Sequence, residues 1–441
     1  HPDMGADEFT HSPVPLSGMY TIAGSSPDYE TINDAVQDLT INGVDGAVTF
    51  NIASDTLNEQ VMIPEITGAS PINTITFQSV TGDSSYVLIS YTPVNTTHKN
   101  TIRLDGADYI IFKNLSISSG EEWGWPVELR SKATHNTFEG NKIFMATQTS
   151  ANDEYALVYA KGTLDSSNVF IGNHFANGSI GIYLEDCASG IEIVNNSFTN
   201  ISYKGIYLRN LNKPKIIGNN IDISTTFSGT VGINLWGGVH TDDPALIANN
   251  MILINTSGGQ AYGISVLYCN NISIVYNTVK INADTYSSYT RAFSGYEGNN
   301  YDILNNIFVL NQGGYAAVVY DTTACSIDYN LYYHPNAAYA DMYWDSHTSD
   351  LEQYGFDLHS IRREPEFISD TDLHTRDAWI SNKGMPLTVV TTDIDGEARD
   401  LTHPDIGADE YEPEILFSGE YTIGSGEDFE TFTEAIDSIT E

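Results

Sequence analysis

The sequence predicts an all-β chain, a single-stranded parallel β-helix (a solenoid) closed at its N-terminal end by a capping helix. Three observations lead there. First, an asparagine closes a short apolar stretch again and again, at Asn114, Asn141, Asn173, Asn196, Asn220, Asn250, Asn277, Asn306 and Asn330. The steps between them run from 23 to 32 residues, inside the range that marks stacked repeats, and the residue three before each is always Ile or Phe, from Ile111 through Ile193, Ile217 and Ile247 to Ile327. Second, Gly-led apolar stretches follow several copies, as in Gly181-Ile-Tyr-Leu184, Gly205-Ile-Tyr-Leu208, Gly232-Ile-Asn-Leu235 and Gly263-Ile-Ser-Val266. Their alternation is the period-2 mark of a strand with one buried face. Third, no helical spacing runs through this region, and there is no room for a crossover helix between strands.

Asparagine suits the corner because it tolerates left-handed backbone and bonds its own main chain. Stacked one rung apart, the nine amides are expected to bond each other as a ladder. A register held over nine copies argues against the ordinary hairpins of a β-sandwich.

In chain order, Tyr29 to Leu39 reads as an amphipathic helix with Ile32, Ala35, Val36 and Leu39 on one face, placed to cover the first coil. Strands follow at 47–52, 73–77, 86–90 and 101–104, then the Asn-marked coils to about Tyr333. About a dozen coils give a rod roughly 55–60 Å long at one rung spacing each. Insertions interrupt the coils at 118–131, 145–160, 223–245 and 282–300. Beyond 334 the period decays, and Pro386 to Tyr411 is expected to close the C-terminal end.

The termini carry a second signal. His1-Pro-Asp-Met-Gly-Ala-Asp-Glu-Phe9 returns as His403-Pro-Asp-Ile-Gly-Ala-Asp-Glu-Tyr411, and Asp28-Tyr-Glu-Thr-Ile32 returns as Asp428-Phe-Glu-Thr-Phe432. The expected organisation is the end of one unit (1–9), a linker (10–16), a whole unit (17–411), a linker (412–416) and the start of the next unit (417–441). Within the whole unit the cap falls at about 29–39, the coils at about 46–333 and the closing segment at about 334–411.

Asp and Glu number 58 against 18 Lys and Arg, a formal charge of −40. Such a surface repels nucleic acid and anionic membrane, so neither is expected as a partner. Cys187, Cys269 and Cys325 form no framework of pairs and read as small core or corner residues. No apolar run is long enough to span a bilayer.

The strand–Asn-Asn–strand coils resemble the right-handed parallel β-helix, or pectate-lyase-like, superfamily. The tail, with Asp372-Leu-His374, Asn382-Lys-Gly384, Asp393-Ile-Asp-Gly-Glu-Ala-Arg399 and Pro404-Asp-Ile-Gly-Ala-Asp-Glu-Tyr411, resembles the end of β-helix units in very large exported surface proteins of Bacteroidota. That resemblance implies a right-handed coil, type IX secretion, and a place in an extracellular adhesin or filament.

Several side chains are candidates for chemistry. Glu185, Arg209 and Trp236 each sit four residues after their Gly and should stack on consecutive rungs, with Lys204 nearby. A lyase of this fold needs a base to abstract a proton, and an ion pair across rungs explains Glu185 and Arg209 without one. Asp242 and Asp243 form the compact carboxylate cluster a glycosidase would need, although Asp243-Pro244 also reads as a turn. Asp393-x-Asp395-Gly396 matches the start of a calcium loop without its closing ligands; a turn is the competing reading, and Ca2+ is the candidate ion. Trp123 and Trp125 in one insertion, and Trp236 four residues after Gly232, could stack on sugars.

From these features the expected function is structural and non-catalytic, with no cofactor required: one tandem module of a giant extracellular or cell-surface protein. Its partners would be neighbouring units, further copies in a fibre, or surface glycans. The alternatives are a polysaccharide lyase or glycoside hydrolase of the β-helix fold, and a glycan- or protein-binding module.

Overall fold

The computed structural model describes residues 13–94, 99–120, 124–162, 165–187, 189–238, 244–335, 342–344, 347–348, 355–413, 421–425, 429, 431–433 and 435–436. Trp123, Asp242, Asp243, the repeat segment 1–9 and most of the joint 412–416 lie outside them.

The chain winds into about twelve turns, each adding one strand to each of three sheets. Every sheet holds twelve strands, and neighbouring turns pair in parallel. The first sheet runs from Leu16–Ile22 to Ser326–Asp328, the second from Asp55–Asn58 to Ile361–Arg362, and the third from Val61–Pro64 through Met342–Trp344 to His347–Thr348. The last of these strands is antiparallel to its neighbour.

One column of the first sheet fills the centre. Phe50, Phe77, Phe112, Phe138 and Phe170 stack face to face with centroids 4.8–5.4 Å apart. Ile193, Ile216, Ile247, Ile274, Ile303 and Ile327 continue the column. Burying the same side chain at the same register in each turn is what makes the turns superimpose.

The asparagine ladder lies at the corner between the first and second sheets. Nδ2 of Asn141, Asn173, Asn196, Asn219, Asn250, Asn277 and Asn306 each donates to Oδ1 of the next asparagine at 2.9–3.1 Å, ending on Asn330. Two of the nine expected rungs are corrected. Asn219 stands in the ladder where Asn220 was expected, and Ile216 rather than Ile217 is its core residue. Asn114 lies one position early, so that Leu115 N donates to Asn141 Oδ1.

The reason is a left-handed residue just before each rung, held by Asn114, Gly140, Gly172, Asn195, Gly218, Asn249, Tyr276, Asn305 and Tyr329. In most Asn-Asn pairs the first Asn takes that strained position, φ near +55°, and the second joins the ladder. At Gly218-Asn219-Asn220 the glycine takes it, and the pair slips by one residue.

The capping helix spans Ile32–Asn42 rather than 29–39. Thr31 and Asp34 form a reciprocal capping box, which excludes Tyr29 and Glu30 from the helix. Gly43 ends it, its N–H bonded to Leu39 O. Ile32, Ala35, Val36 and Leu39 are the buried face.

The C-terminal segment closes the end only in part. Ile361–Arg362 pairs with Leu331 and Tyr332, and then the chain turns back along the flank beside the asparagine corner. Val390 packs on Val275, Tyr276 and Leu304; Ile380 and Ile406 pack on Ile307, Val309 and Leu331; Leu373 and Ala408 pack on Met251 and Leu253. Those strands are apolar on both faces because this segment covers the outer one. Arg399 holds it in place, stacked 3.9 Å from the Tyr276 ring centroid and donating to Asn249 Oδ1 and Gly407 O at 2.9 Å.

Burial raises two carboxyls of this segment, Asp357 and Asp405, to about 6. Their unfolded values lie near 3.8, so protonation favours the folded state. Their contribution is complete below the unfolded value and is lost as pH rises through about 6. Stability of wild type relative to Asp357→Asn is therefore expected to fall between about pH 4 and pH 7. Denaturant midpoints measured for both proteins across that range check it; a difference that does not change with pH would refute it.

Candidate functional site

The outward face of the third sheet is where polar chemistry concentrates. Its strands carry a Gly column, Gly181, Gly205, Gly232 and Gly263, pressed against the core. A Cβ at Gly232 would come within 2.5 Å of Ile252 Cγ2 and 2.6 Å of Gly263 O, so only glycine lets the turns approach this closely. Side chains on either side of that column point outwards in three rows.

In the middle row, Trp125 from a neighbouring row stacks on Tyr159 with centroids 3.8 Å apart, and Tyr159, Tyr183 and Tyr207 continue the stack at 5.2 and 4.9 Å. In the outer row, Glu185, Arg209 and Trp236 occupy consecutive rungs. Arg209 Nη1 pairs with Glu185 Oε1 at 3.0 Å, and its guanidinium lies over the Trp236 ring at 5.3 Å. Lys161 Nζ reaches Glu185 Oε2 at 3.2 Å, and the Tyr183 hydroxyl donates to the same carboxylate. Glu185 is thus neutralised twice, and Arg209 is engaged by it.

The remaining row contains Lys204 and, three rungs on, Arg291. Between and around them lies a cleft of about 350 Å³, lined by Lys204, Asn234, Trp236, Tyr262, Arg291 and Tyr320 among others. Burial lowers the Lys204 ammonium to about 8. It stacks on Tyr207 at 4.2 Å and makes no ion pair among the described residues.

Arg291 is only 8% exposed. Nη1 donates to Ser294 Oγ at 3.2 Å and Nη2 to Tyr320 Oη at 3.0 Å, while Nε has no acceptor among the described residues. No carboxylate pairs with it among the described residues, although acids outnumber bases threefold in this chain. A buried guanidinium without a counter-ion is costly to hold and is matched to an anion supplied from outside. Aromatic rings form the rim: Trp236 is 40% exposed, and Tyr289 is similarly open.

The other candidates fare differently. Trp125 is buried, clamped between the Lys99 ammonium at 4.2 Å and Tyr159, with Nε1 donating to Asp153 O; its ring has no face left for a ligand. Asp393 and Asp395 face different partners. Asp393 Oδ1 accepts the Asp395 and Glu397 amides and its Oδ2 that of Glu410, which is the turn reading, with Gly396 at φ +87°. Asp395 instead faces His374 at 2.9 Å.

If sugars are bound here, Trp236→Ala is expected to weaken oligosaccharide binding about tenfold, roughly the worth of one stacked aromatic, while Trp125→Ala lowers stability without a comparable loss once folded protein is compared. Glycan microarray binding with denaturation curves for both variants checks this; equal loss of binding would refute it.

This architecture defines a β-helix solenoid with a polar cleft on one sheet. Residues 73–221 and 165–353 match the right handed beta helix region family, and the chain belongs to that family. No curated protein matches the sequence. Among solved structures it is similar to a pectin methylesterase from Aspergillus niger (14% identity over 82% of this chain and 95% of that one, TM-score 0.29). It is also similar to a lacto-N-biosidase from Eubacterium ramulus (12% identity, 78% and 67%, TM-score 0.43) and to the pectate lyase Pel9A (11% identity, 90% and 98%, TM-score 0.45). The expectation of a chain that is not an enzyme is corrected by these comparisons, because the solved structures it is similar to are enzymes.

Proposed function

We propose that the chain is a carbohydrate-active enzyme that binds an acidic polysaccharide across the third sheet and cleaves it by elimination. The observation that carries this reading is the buried Arg291 guanidinium, which has no paired carboxylate among the described residues of a strongly acidic chain. Arg291 holds a uronate carboxylate, and the exposed aromatic rim carries the sugar faces. Lys204 lies three rungs away, about 14 Å at one rung spacing per turn, or roughly three sugars along. It is the proton acceptor, because an ammonium lowered to about 8 is partly neutral near physiological pH. From the uronate seated against it, a different sugar from the one Arg291 holds, it takes the proton beside the carboxylate; the electrons of that C–H bond form the new double bond, and the glycosidic oxygen leaves with its bonding pair and takes a proton from water.

The test is incubation of the chain with polygalacturonate, alginate and a neutral glycan, with and without Ca2+, following new reducing ends and ultraviolet absorbance of unsaturated products. Cleavage confined to acidic glycans supports the reading. Absence of both binding and cleavage on every polyuronate would overturn it.

The return of residues 1–9 at 403–411 favours a compatible second reading of where this happens. The chain would be one unit of a large exported surface protein of Bacteroidota, working on glycans outside the cell. Immunolabelling of intact cells that finds the protein only inside would refute it.

A further inference from the structure

The third sheet carries a second cleft on its outward face, towards the N-terminal turns. It encloses about 590 Å³ and is lined by Glu128, Arg130, Lys132, Tyr159 and Lys161 among others. Three of the chain's 18 basic residues thus meet at one place, in a chain with 58 acids. The strand register explains the meeting. Glu128 lies opposite Tyr159, and two residues further along each strand come Arg130 and Lys161, on the same face of successive turns. A turn closed by Ala133 N on Arg130 O at 3.2 Å brings Lys132 to the same rim.

Two carboxylates border these cations, and both are engaged. Glu128 Oε2 accepts from Arg103 Nε at 2.6 Å in a buried pair, and Glu185 holds Lys161 and Arg209. Arg130 forms no ion pair with Asp105, its neighbour one turn back. Neither Arg130 nor Lys132 pairs with any other carboxylate among the described residues, and both side chains are exposed. The cleft therefore presents an open guanidinium and an open ammonium, donors that fit a carboxylate.

Its position relative to Lys204 and Arg291 is what gives the cleft a use. Along the third sheet, Arg291 lies three turns beyond Lys204, and Arg130 three turns before it. Arg291 and Arg130 stand in opposite outward rows, so a line joining them crosses the sheet obliquely. By register its midpoint falls at Tyr207, where the Lys204 ammonium lies 4.2 Å from the ring centroid. Six rung spacings make roughly 29 Å, the length of about six sugars, half of them on either side of Lys204.

We propose that Arg130 and Lys132 form a distal subsite for a further carboxylate of the same polyuronate chain, which is held at both ends and cut near its middle. Resting on the polyuronate cleavage proposed above, the subsite adds the length of the substrate. Short oligomers reach one flank of Lys204 only, and longer ones reach both.

Calorimetric titration of the full chain with a galacturonate trimer and octamer tests it, at about pH 5.5, where Lys204 is charged and turnover is slow. The octamer is expected to bind roughly tenfold more tightly than the trimer, and an Arg130→Gln, Lys132→Gln double variant to lose that gain while keeping the trimer affinity. A Lys113→Gln, Lys215→Gln variant removes the same charge from the first sheet and is expected to leave octamer affinity within about twofold. Equal affinity of wild type for the two oligomers, an octamer affinity unchanged in the cleft variant, or an equal loss in the first-sheet variant would overturn the subsite. Trimer binding that is lost in Arg291→Ala would then leave the polyuronate reading standing without it. Failure of both oligomers to bind wild type would overturn the reading and the subsite together.

Discussion

Lys204→Ala is expected to lower the rate of polyuronate cleavage about 10²-fold to 10⁴-fold, the usual contribution of a positioned general base. Arg291→Ala acts differently. It removes charge-assisted hydrogen bonds worth about 1.5–3 kcal/mol, so KM rises roughly 10-fold to 100-fold while the rate at saturation changes less. The two variants thus divide along kcat and KM, which a general loss of folding would not produce. The pH profile gives a further check. Burial lowers the Lys204 ammonium to about 8, and the neutral amine is the active form, so activity rises with pH through that value and then levels off. Lys204→Arg, whose guanidinium stays protonated far higher, is expected to shift this limb upwards or abolish it. Steady-state kinetics of wild type and the three variants on one polyuronate decide the matter; a Lys204→Ala enzyme within twofold of wild type at every pH would remove Lys204 from the chemistry.

The residues that define this cleft were legible in part. Glu185, Arg209 and Trp236 could be stacked from their distance to the Gly column, because a period-2 strand carries every side chain at a fixed offset to the same face. The same rule applied one residue before the column places Ile180, Lys204, Val231, Tyr262 and Arg291 in one row. The row of cations and aromatics was therefore available in the sequence, but its third member could be found only after Arg291 was aligned on Ala292, where no glycine marks the strand. What no offset could reveal is that Glu185 is already neutralised by Lys161 and Arg209 while Arg291 meets no carboxylate among the described residues, since that depends on how long side chains turn. The capping helix shows a similar division, its buried face fixed by spacing and its start fixed by a cap at Thr31.

The back-folded segment was the least legible part, for a physical reason. Its contacts join residues more than a hundred positions apart, such as Ala408 N to Thr278 Oγ1, and it has no period of its own. The hint lay instead in the coils it covers. Met251-Ile-Leu-Ile254 and Ile307-Phe-Val-Leu310 are apolar on both faces, which a strand with one wet face cannot be. Such strands require a cover, and the only long stretch of aperiodic sequence able to supply one follows the coils.

The register of the asparagine corner yields the other large expected effect. Asn250→Ala should destabilise the chain by about 3–5 kcal/mol, at the upper end for a single substitution. Its Oδ1 accepts both Asn219 N and Asn219 Nδ2, and its Nδ2 donates to Ile216 O, Ala248 O and Asn277 Oδ1. All of these groups lie where water cannot replace the lost partner, so each keeps its full desolvation cost. Asn219→Ala is expected to approach the same loss, because Asn219 holds the neighbouring rung. Asn220→Ala, an exposed position one residue along, should change stability by no more than about 0.5 kcal/mol. Denaturant unfolding of the three variants compares them directly. Because each turn leans only on its neighbours, the Asn250→Ala chain should also show faster hydrogen exchange in the turns flanking 250 than at the capped N-terminal end. Equal stability of the Asn219→Ala and Asn220→Ala proteins would mean that the buried column is not in the register described, and the alignment of Ile216 with Ile193 and Ile247 would fall with it.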